Sequence, residues 1–282
     1  MIPLRHQFLE LINYVQVNYV TTFILLIHMQ IHILHLGSLR AMAVEMIKPV
    51  THSEIGLKYK IDIEGYIRLS LNGLLIIEGD RIVVIDPGCA DFLPSRLMNE
   101  YGLEVPKSIE AVLQQKGVSP GQVTDVIFTH LHFDHGSGAF VRQPGKIVKR
   151  FRNASYHVLK EHYEYASRPN PSESNSFFTG LFKYIDKIHW LEDWQEDWLE
   201  YKVFNGHTRG MVVPVIKTGS KEVVFLTDLV PMQVFLDKDV YSGYDLDPEL
   251  ALLEKQDFLS SLRNSIRIIL FHDPLIDSLY YP

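Results

Sequence analysis

Phe128-Thr129-His130-Leu131-His132-Phe133-Asp134-His135-Gly136 sets three histidines and a carboxylate within six consecutive positions, directly behind the apolar run Val126-Ile127-Phe128. That run reads as a buried strand. Neutral imidazole and carboxylate together suit zinc and its borderline neighbours iron, cobalt, nickel and manganese. Side chains of an extended chain repeat every two residues, so His130 and His132 point to one side, and a turn after Phe133 can swing Asp134 and His135 toward a second ion. A lone histidine is usually a surface or core filler. Four ligating groups at this spacing predict a metal site at the end of a strand.

Three further ligand-type residues follow in order. His207 lies in Gly206-His207-Thr208-Arg209-Gly210, Asp228 closes the run Val223-Val224-Phe225-Leu226-Thr227, and His272 closes Ile268-Ile269-Leu270-Phe271. Each sits at the C-terminal end of a strand-like run or in a loop with turn residues, where function gathers on a rigid sheet.

H-x-H-x-D-H behind a hydrophobic strand, with these later residues, resembles the signature of the metallo-β-lactamase superfamily, from about Met29 to Pro274. The resemblance implies an α/β fold, a four-layer αββα sandwich with two mixed sheets. It also implies one ion held by His130, His132 and His207, a second held by Asp134, His135 and His272, and Asp228 bridging the two. The cofactors implied are two divalent metal ions, zinc first, with iron, manganese or cobalt as alternatives. Two such cations acidify a shared water, so the expected nucleophile is a hydroxide, with Asp134 and Asp228 as the catalytic carboxylates. Asp86, in Asp86-Pro87-Gly88, stands where the family places a carboxylate behind a metal-binding histidine.

The phrases Asn153-Ala154-Ser155-Tyr156-His157-Val158 and Tyr244-Asp245-Leu246-Asp247-Pro248-Glu249 resemble the lactonase-like and organophosphate-hydrolase-like branches. The expected reaction is therefore cleavage of an ester or lactone, such as an acyl-homoserine lactone, or of an organophosphate. A thioester hydrolase or sulfur dioxygenase of the glyoxalase II kind is the alternative, and a nuclease ranks below it. His132 stands where flavodiiron oxidoreductases carry glutamate, and Asp228 where the true zinc lactamases carry cysteine or serine. Both of those activities are disfavoured. His157 and His162 fall outside the ligand pattern, and Arg209, where relatives commonly have proline, is expected to be solvated.

The chain has 282 residues, an ordinary globular composition and a net charge of −7. That balance argues against a broad nucleic-acid surface, so a small-molecule substrate is expected. Cys89, the single cysteine, excludes an internal disulfide and fits a cytoplasmic setting. Residues 29–282 read as one domain, preceded by an N-terminal extension, residues 1–28, of little structural weight. Leu11 to Leu39 contains no Asp, Glu, Lys or Arg. It is nevertheless diluted by Asn13, Gln16 and Asn18, so no membrane partner is expected unless residues 8–28 serve as an anchor. The resemblance leaves room for a homodimer.

Met29 to Gly37 alternates like an opening strand, and Leu74–Ile77 with Ile82–Ile85 reads as a hairpin. Ser108 and Asp247 read as helix caps. Residues 168–180 read as a loop, Trp190, Trp194 and Trp198 as a stripe on one helix, and residues 177–201 as core or as an aromatic pocket wall. After His272 the chain looks too short for a complete final strand.

Overall fold

The structure, a computed structural model, describes residues 29–105, 108–263 and 265–281. The proposed extension, residues 1–28, lies outside the described residues. Strand β1 (Gln30–Met42) runs five residues past the alternating stretch and pairs antiparallel with β2 (Tyr66–Glu78), with a bulge between His35 and Ser38. Gly37 sits in that bulge at φ +126°, and a Cβ there would fall 2.2 Å from the Glu104 carbonyl oxygen. Only glycine fits such an approach. A turn through Gly79 returns the chain in β3 (Arg81–Ile85), as the hairpin pattern predicts.

Strands β4 (Asp125–Ile127), β7 (Ser155–Val158) and β8 (Ile188–Trp190) extend this sheet in parallel, giving the order β1-β2-β3-β4-β7-β8. Interior parallel strands are covered on both faces and so need continuous apolar runs. Val83, Val84, Ile85, Val126 and Ile127 are all buried. Between β4 and β7, β5 (Phe140–Gln143) and β6 (Lys146–Lys149) form a separate hairpin.

The second sheet has the order β13-β12-β11-β10-β9, from β9 (Leu199–Phe204), β10 (Met211–Thr218), β11 (Lys221–Phe225), β12 (Arg267–Ile269) and β13 (Ser278–Tyr280). The β11–β12 pair is parallel and the others antiparallel, so both sheets are mixed, as expected. They share one buried core. The pairing of β2 with β3 stops at Leu74–Ile85, which leaves the earlier half of that β2 edge free. The N–H groups of Ser70 and Asn72 there donate to the carbonyls of His272 and Phe271 at 3.0 and 3.1 Å, sewing the sheets together beside a predicted ligand.

The helices are α1 (Ala43–Met46), α2 (His52–Gly56), α3 (Ser95–Glu100), α4 (Ile109–Gln114), α5 (Phe133–Gly136), α6 (Lys160–Ala166) and α7 (Pro248–Ser261). Ser108 and Asp247 cap α4 and α7 by accepting from the N–H groups of Ala111 and Leu250. Each cap contributes about 1 kcal/mol. No helix among the described residues is long and apolar enough to cross a membrane.

One expectation is corrected and one narrowed. The three tryptophans share no helix: Trp190 ends β8, Trp194 follows a 3-10 turn and Trp198 precedes β9. Residues 188–190 are drawn into parallel pairing with β7, which breaks the four-residue period before it can wind. The final strand is not absent, though it is short: β13, three residues long, pairs antiparallel with β12.

Candidate metal centre

The sequence places its ligand-type residues just past the ends of β4, β11 and β12, which lie at one end of the two sheets, and in the β9–β10 loop. After β4 the chain bends at Thr129, is extended again at His132, and then turns at once into the single helical turn of α5, which carries Asp134 and His135. Two tight, unusual backbone positions aim the neighbours. Asp86 and Thr227 both have positive φ, 49° and 45°, and Thr227 immediately precedes Asp228. A β-branched residue in that region is held there by its surroundings, a pattern common beside functional groups.

The seven predicted residues converge. His130, His132, His207 and Asp228 form one group whose potential ligand atoms lie within 4.8 Å of one another, and Asp134, His135 and His272 form another. Asp228 stands between them. Its Oδ2 is 3.1 Å from His207 Nε2, 3.6 Å from His130 Nε2 and 3.2 Å from His135 Nε2, while its Oδ1 is 3.5 Å from His272 Nε2. Asp134 Oδ2 is 3.4 Å from His272 Nε2. All seven are buried.

Behind the imidazoles lies a ring of acceptors that fixes their tautomers. His135 Nδ1 donates to Asp86 Oδ2 at 2.9 Å, His207 Nδ1 to Asp245 Oδ1 at 3.0 Å, and His272 Nδ1 to the Ser70 carbonyl at 2.9 Å. Thr129 gives its hydroxyl hydrogen to Asp86 at 2.5 Å and so accepts from His130 Nδ1 at 3.1 Å. Each of these four rings thus turns the lone pair of Nε2 inward. His132 is reversed: its Nδ1 faces His207 Nε2 at 3.3 Å. Asp86 also groups with His130 and His135 as a third candidate set. Its oxygens are already taken by Thr129 and His135, so it orients ligands rather than joining them.

Whether these residues suit a cation can be tested on their unsatisfied atoms. His130 Nε2, His135 Nε2 and Asp228 Oδ1 are buried without a hydrogen-bond partner. Buried polar atoms are nearly always paired, and three such acceptors aimed at common points are what an ion would satisfy. Charge gives the same answer. Burial opposes the imidazolium form, yet Asp228 and Asp134 carry His135 well above its usual value, and Asp228 and Asp245 raise His207 to about 10. Without a cation, protons compensate these carboxylates. Burial, reinforced by His135 and His132, holds His130 well below its usual value, in the neutral form that ligates.

Over the cluster lies a cleft of about 190 Å³. Its apolar walls are Leu39 and Ala41 of β1, Met46 of α1, Leu69 of β2, Phe133 of α5 and Leu246, and polar groups reach it from Tyr101, Tyr244, Ser172, Ser176, Ser242 and Glu173. No lysine or arginine lines it. Of residues 177–201, none lines this cleft, so the aromatic segment is not its wall. Phe177 packs instead on the His132 ring, with centroids 4.8 Å apart. Arg209 points away and pairs with Glu161 at 2.8 Å.

His157 and His162 take no ligand position. His157 binds Asp125 at 2.8 Å, away from the cluster. His162 is a buried strut: its Nε2 accepts from the Leu131 N–H at 2.7 Å and its Nδ1 donates to the Arg209 carbonyl at 2.6 Å. Burial lowers its pKa to about 4, so it stays neutral. Asp245, Thr129, His162 and Glu173 are site residues that sequence reasoning missed. Asp245 and Thr129 lie inside stretches quoted above, and that was the available signal.

A family model described as the metallo-beta-lactamase superfamily matches residues 68–271. No curated protein matches the sequence significantly. Among solved structures, a probable metal-dependent hydrolase from Staphylococcus aureus superposes with a TM-score of 0.81 at 21% identity, covering 90% of this chain and 92% of that one. AidC, a dizinc quorum-quenching lactonase in complex with a product, N-hexanoyl-L-homoserine, gives 0.74 at 21% identity, covering 89% and 90%. AbOPH, a hydrolase in the beta lactamase superfamily, gives 0.69 at 21% identity, covering 90% and 94%. At such identity the likeness is one of fold.

Proposed function

The chain belongs to the metallo-β-lactamase superfamily and is a metallo-hydrolase by that membership; from this premise we propose that it cleaves a neutral ester or lactone with two divalent cations, most simply zinc. The observation that carries the reading is Asp228 standing between two groups of inward-facing ligand atoms, beneath a cleft that has apolar walls and no basic side chain. His130, His132 and His207 would hold one ion, Asp134, His135 and His272 the other, with Asp228 shared. A cation pair supplies Lewis acidity, making water available as a nucleophile at neutral pH and polarising the substrate's acyl oxygen.

The protein's own groups do the rest. Asp86, Asp245, Thr129 and the Ser70 carbonyl keep four imidazoles in one tautomer. Asp134, which faces His272 at the cleft floor, is the group we assign to carry a proton to the departing oxygen. Leu39, Met46 and Leu69 offer contact to an acyl chain, since small-molecule sites are mostly apolar with a few polar groups.

The same cleft argues against the alternatives. A glutathione thioester brings carboxylates and a nucleic acid brings phosphates, and both call for Arg or Lys near the site. An acyl-homoserine lactone or a phosphotriester carries no charge and suits such walls. The test is a chromogenic panel of lactone, aryl ester, thioester, phosphotriester and phosphodiester with metal-stripped and metal-restored protein. Metal-dependent turnover of the lactone or aryl ester is expected. Turnover of the thioester alone would overturn the reading.

A further inference from the structure

The loop 168–180 carries a carboxylate into the site that neither the family match nor the ligand pattern assigns. Its backbone is clamped to the metal loop: the Phe133 N–H donates to the Ser176 carbonyl at 2.8 Å, and Phe177 forms a β-bridge with His132. This clamp carries Glu173 in behind His132. Glu173 is only 6% exposed, and the Tyr165 hydroxyl of α6 donates to its Oε1. Its Oε2 has no hydrogen-bond partner and lies 3.5 Å from His132 Nε2, which has none either.

His132 is the one imidazole of the cluster that presents Nδ1 inward, so its outward nitrogen is Nε2. The other four rings have an acceptor behind them. A buried donor and a buried carboxylate oxygen, both unpartnered and facing each other, complete the same pattern for the fifth. We propose that Glu173 is the positioning residue for His132, accepting a hydrogen bond from Nε2–H so that the Nδ1 lone pair points at the first cation. The loop 168–180 is then part of the metal site rather than an appended insert, and its docking and the first ion's affinity rise and fall together. Glu173 itself is not a ligand, because it lies across the ring from His207.

This inference rests on the metal-site reading above, and the experiment separates the two. Full-length protein stripped of metal is titrated with zinc against a chromophoric chelator. Glu173→Ala is expected to weaken one of two zinc ions by about 10–100-fold and leave the other near its wild-type affinity. Glu173→Gln, whose amide oxygen can still accept, should lose less. In parallel, long-range proton–nitrogen spectra of the zinc-loaded wild type should show His132 carrying its proton on Nε2, a reading that stands even where Glu173→Ala fails to fold. Two zinc ions bound equally tightly by wild type and a folded Glu173→Ala, or a His132 proton on Nδ1, would overturn the role of Glu173 alone. A wild type that binds no zinc would overturn the metal site itself and this inference with it.

Discussion

Two buried histidine–carboxylate pairs in this molecule have nearly the same length, through opposite ring nitrogens, and opposite meaning. His135 Nδ1 meets Asp86 at 2.9 Å beside the candidate metal centre, and His157 Nε2 meets Asp125 at 2.8 Å within β7 and β4. What separates them is the second ring nitrogen. His135 Nε2 looks at Asp228 and Asp134, at 3.2 and 3.9 Å. His157 instead lies against the Trp194 ring at 4.8 Å, and its Asp125 is also held by Arg81 and Thr124. One pair faces further ligand atoms on its far side, whereas His157 Nδ1 is buried without a partner and belongs to no cluster of ligand groups among the described residues. A histidine–aspartate pair becomes a candidate site only when the far nitrogen has somewhere chemical to point.

The contrast can be broken by substitution. Asp228→Ala removes the oxygen shared by both groups, so turnover should fall by about 10³-fold, the equivalent of several kcal/mol of lost charge stabilisation, with a measured drop in bound metal. Asp125→Ala leaves His157 buried without its carboxylate and should cost about 3 kcal/mol of stability in denaturant unfolding. Metal content and turnover per folded molecule should stay at the wild-type level. If Asp125→Ala instead loses metal, the two pairs are not distinct in kind.

His162 sharpens the comparison, being a buried imidazole with no carboxylate partner. Its folded pKa of about 4 lies below the unfolded value near 6.5. Between those values the unfolded chain binds the extra proton, so the contribution of neutral His162 is present above pH 6.5 and is lost as pH falls toward 4. The loss amounts to about 3 kcal/mol. Unfolding of metal-free protein across this window, wild type against His162→Gln, should show a shallower decline for the variant. Smaller still is Asp86→Ala, expected to weaken zinc by about 10–100-fold in the chelator titration through loss of ring orientation. At the foot of the scale, Arg209→Ala removes an exposed pair with Glu161 and should change stability by less than about 1 kcal/mol and turnover hardly at all.

How far these roles could be read from the chain follows from how local each signal is. His130, His132, Asp134 and His135 lie within six residues, Asp228 and His272 each end an apolar run, and His207 sits in a glycine-bounded loop, so spacing and position reveal them. Asp86 stands in a turn whose role only the family resemblance implies. Glu173 and His162 work through contacts made only by the folded chain, and a single glutamate in a polar loop leaves no periodic trace. The hairpin at Leu74–Ile85 and the helix caps were legible because turn and cap chemistry is local. The tryptophan stripe misled because a four-residue period arose by accident across β8, a 3-10 turn and the start of β9. Whether the last strand was absent or merely short stayed open, because Ser278–Tyr280 is too short to show alternation and exists through pairing with β12.

The most direct test is anomalous diffraction at the zinc edge from crystals of zinc-loaded protein. Two peaks about 3.5–4 Å apart are expected, one among His130, His132 and His207 and one among Asp134, His135 and His272, with Asp228 touching both. A single peak, no peak, or zinc bound away from Asp228 would contradict the shared-carboxylate metal centre.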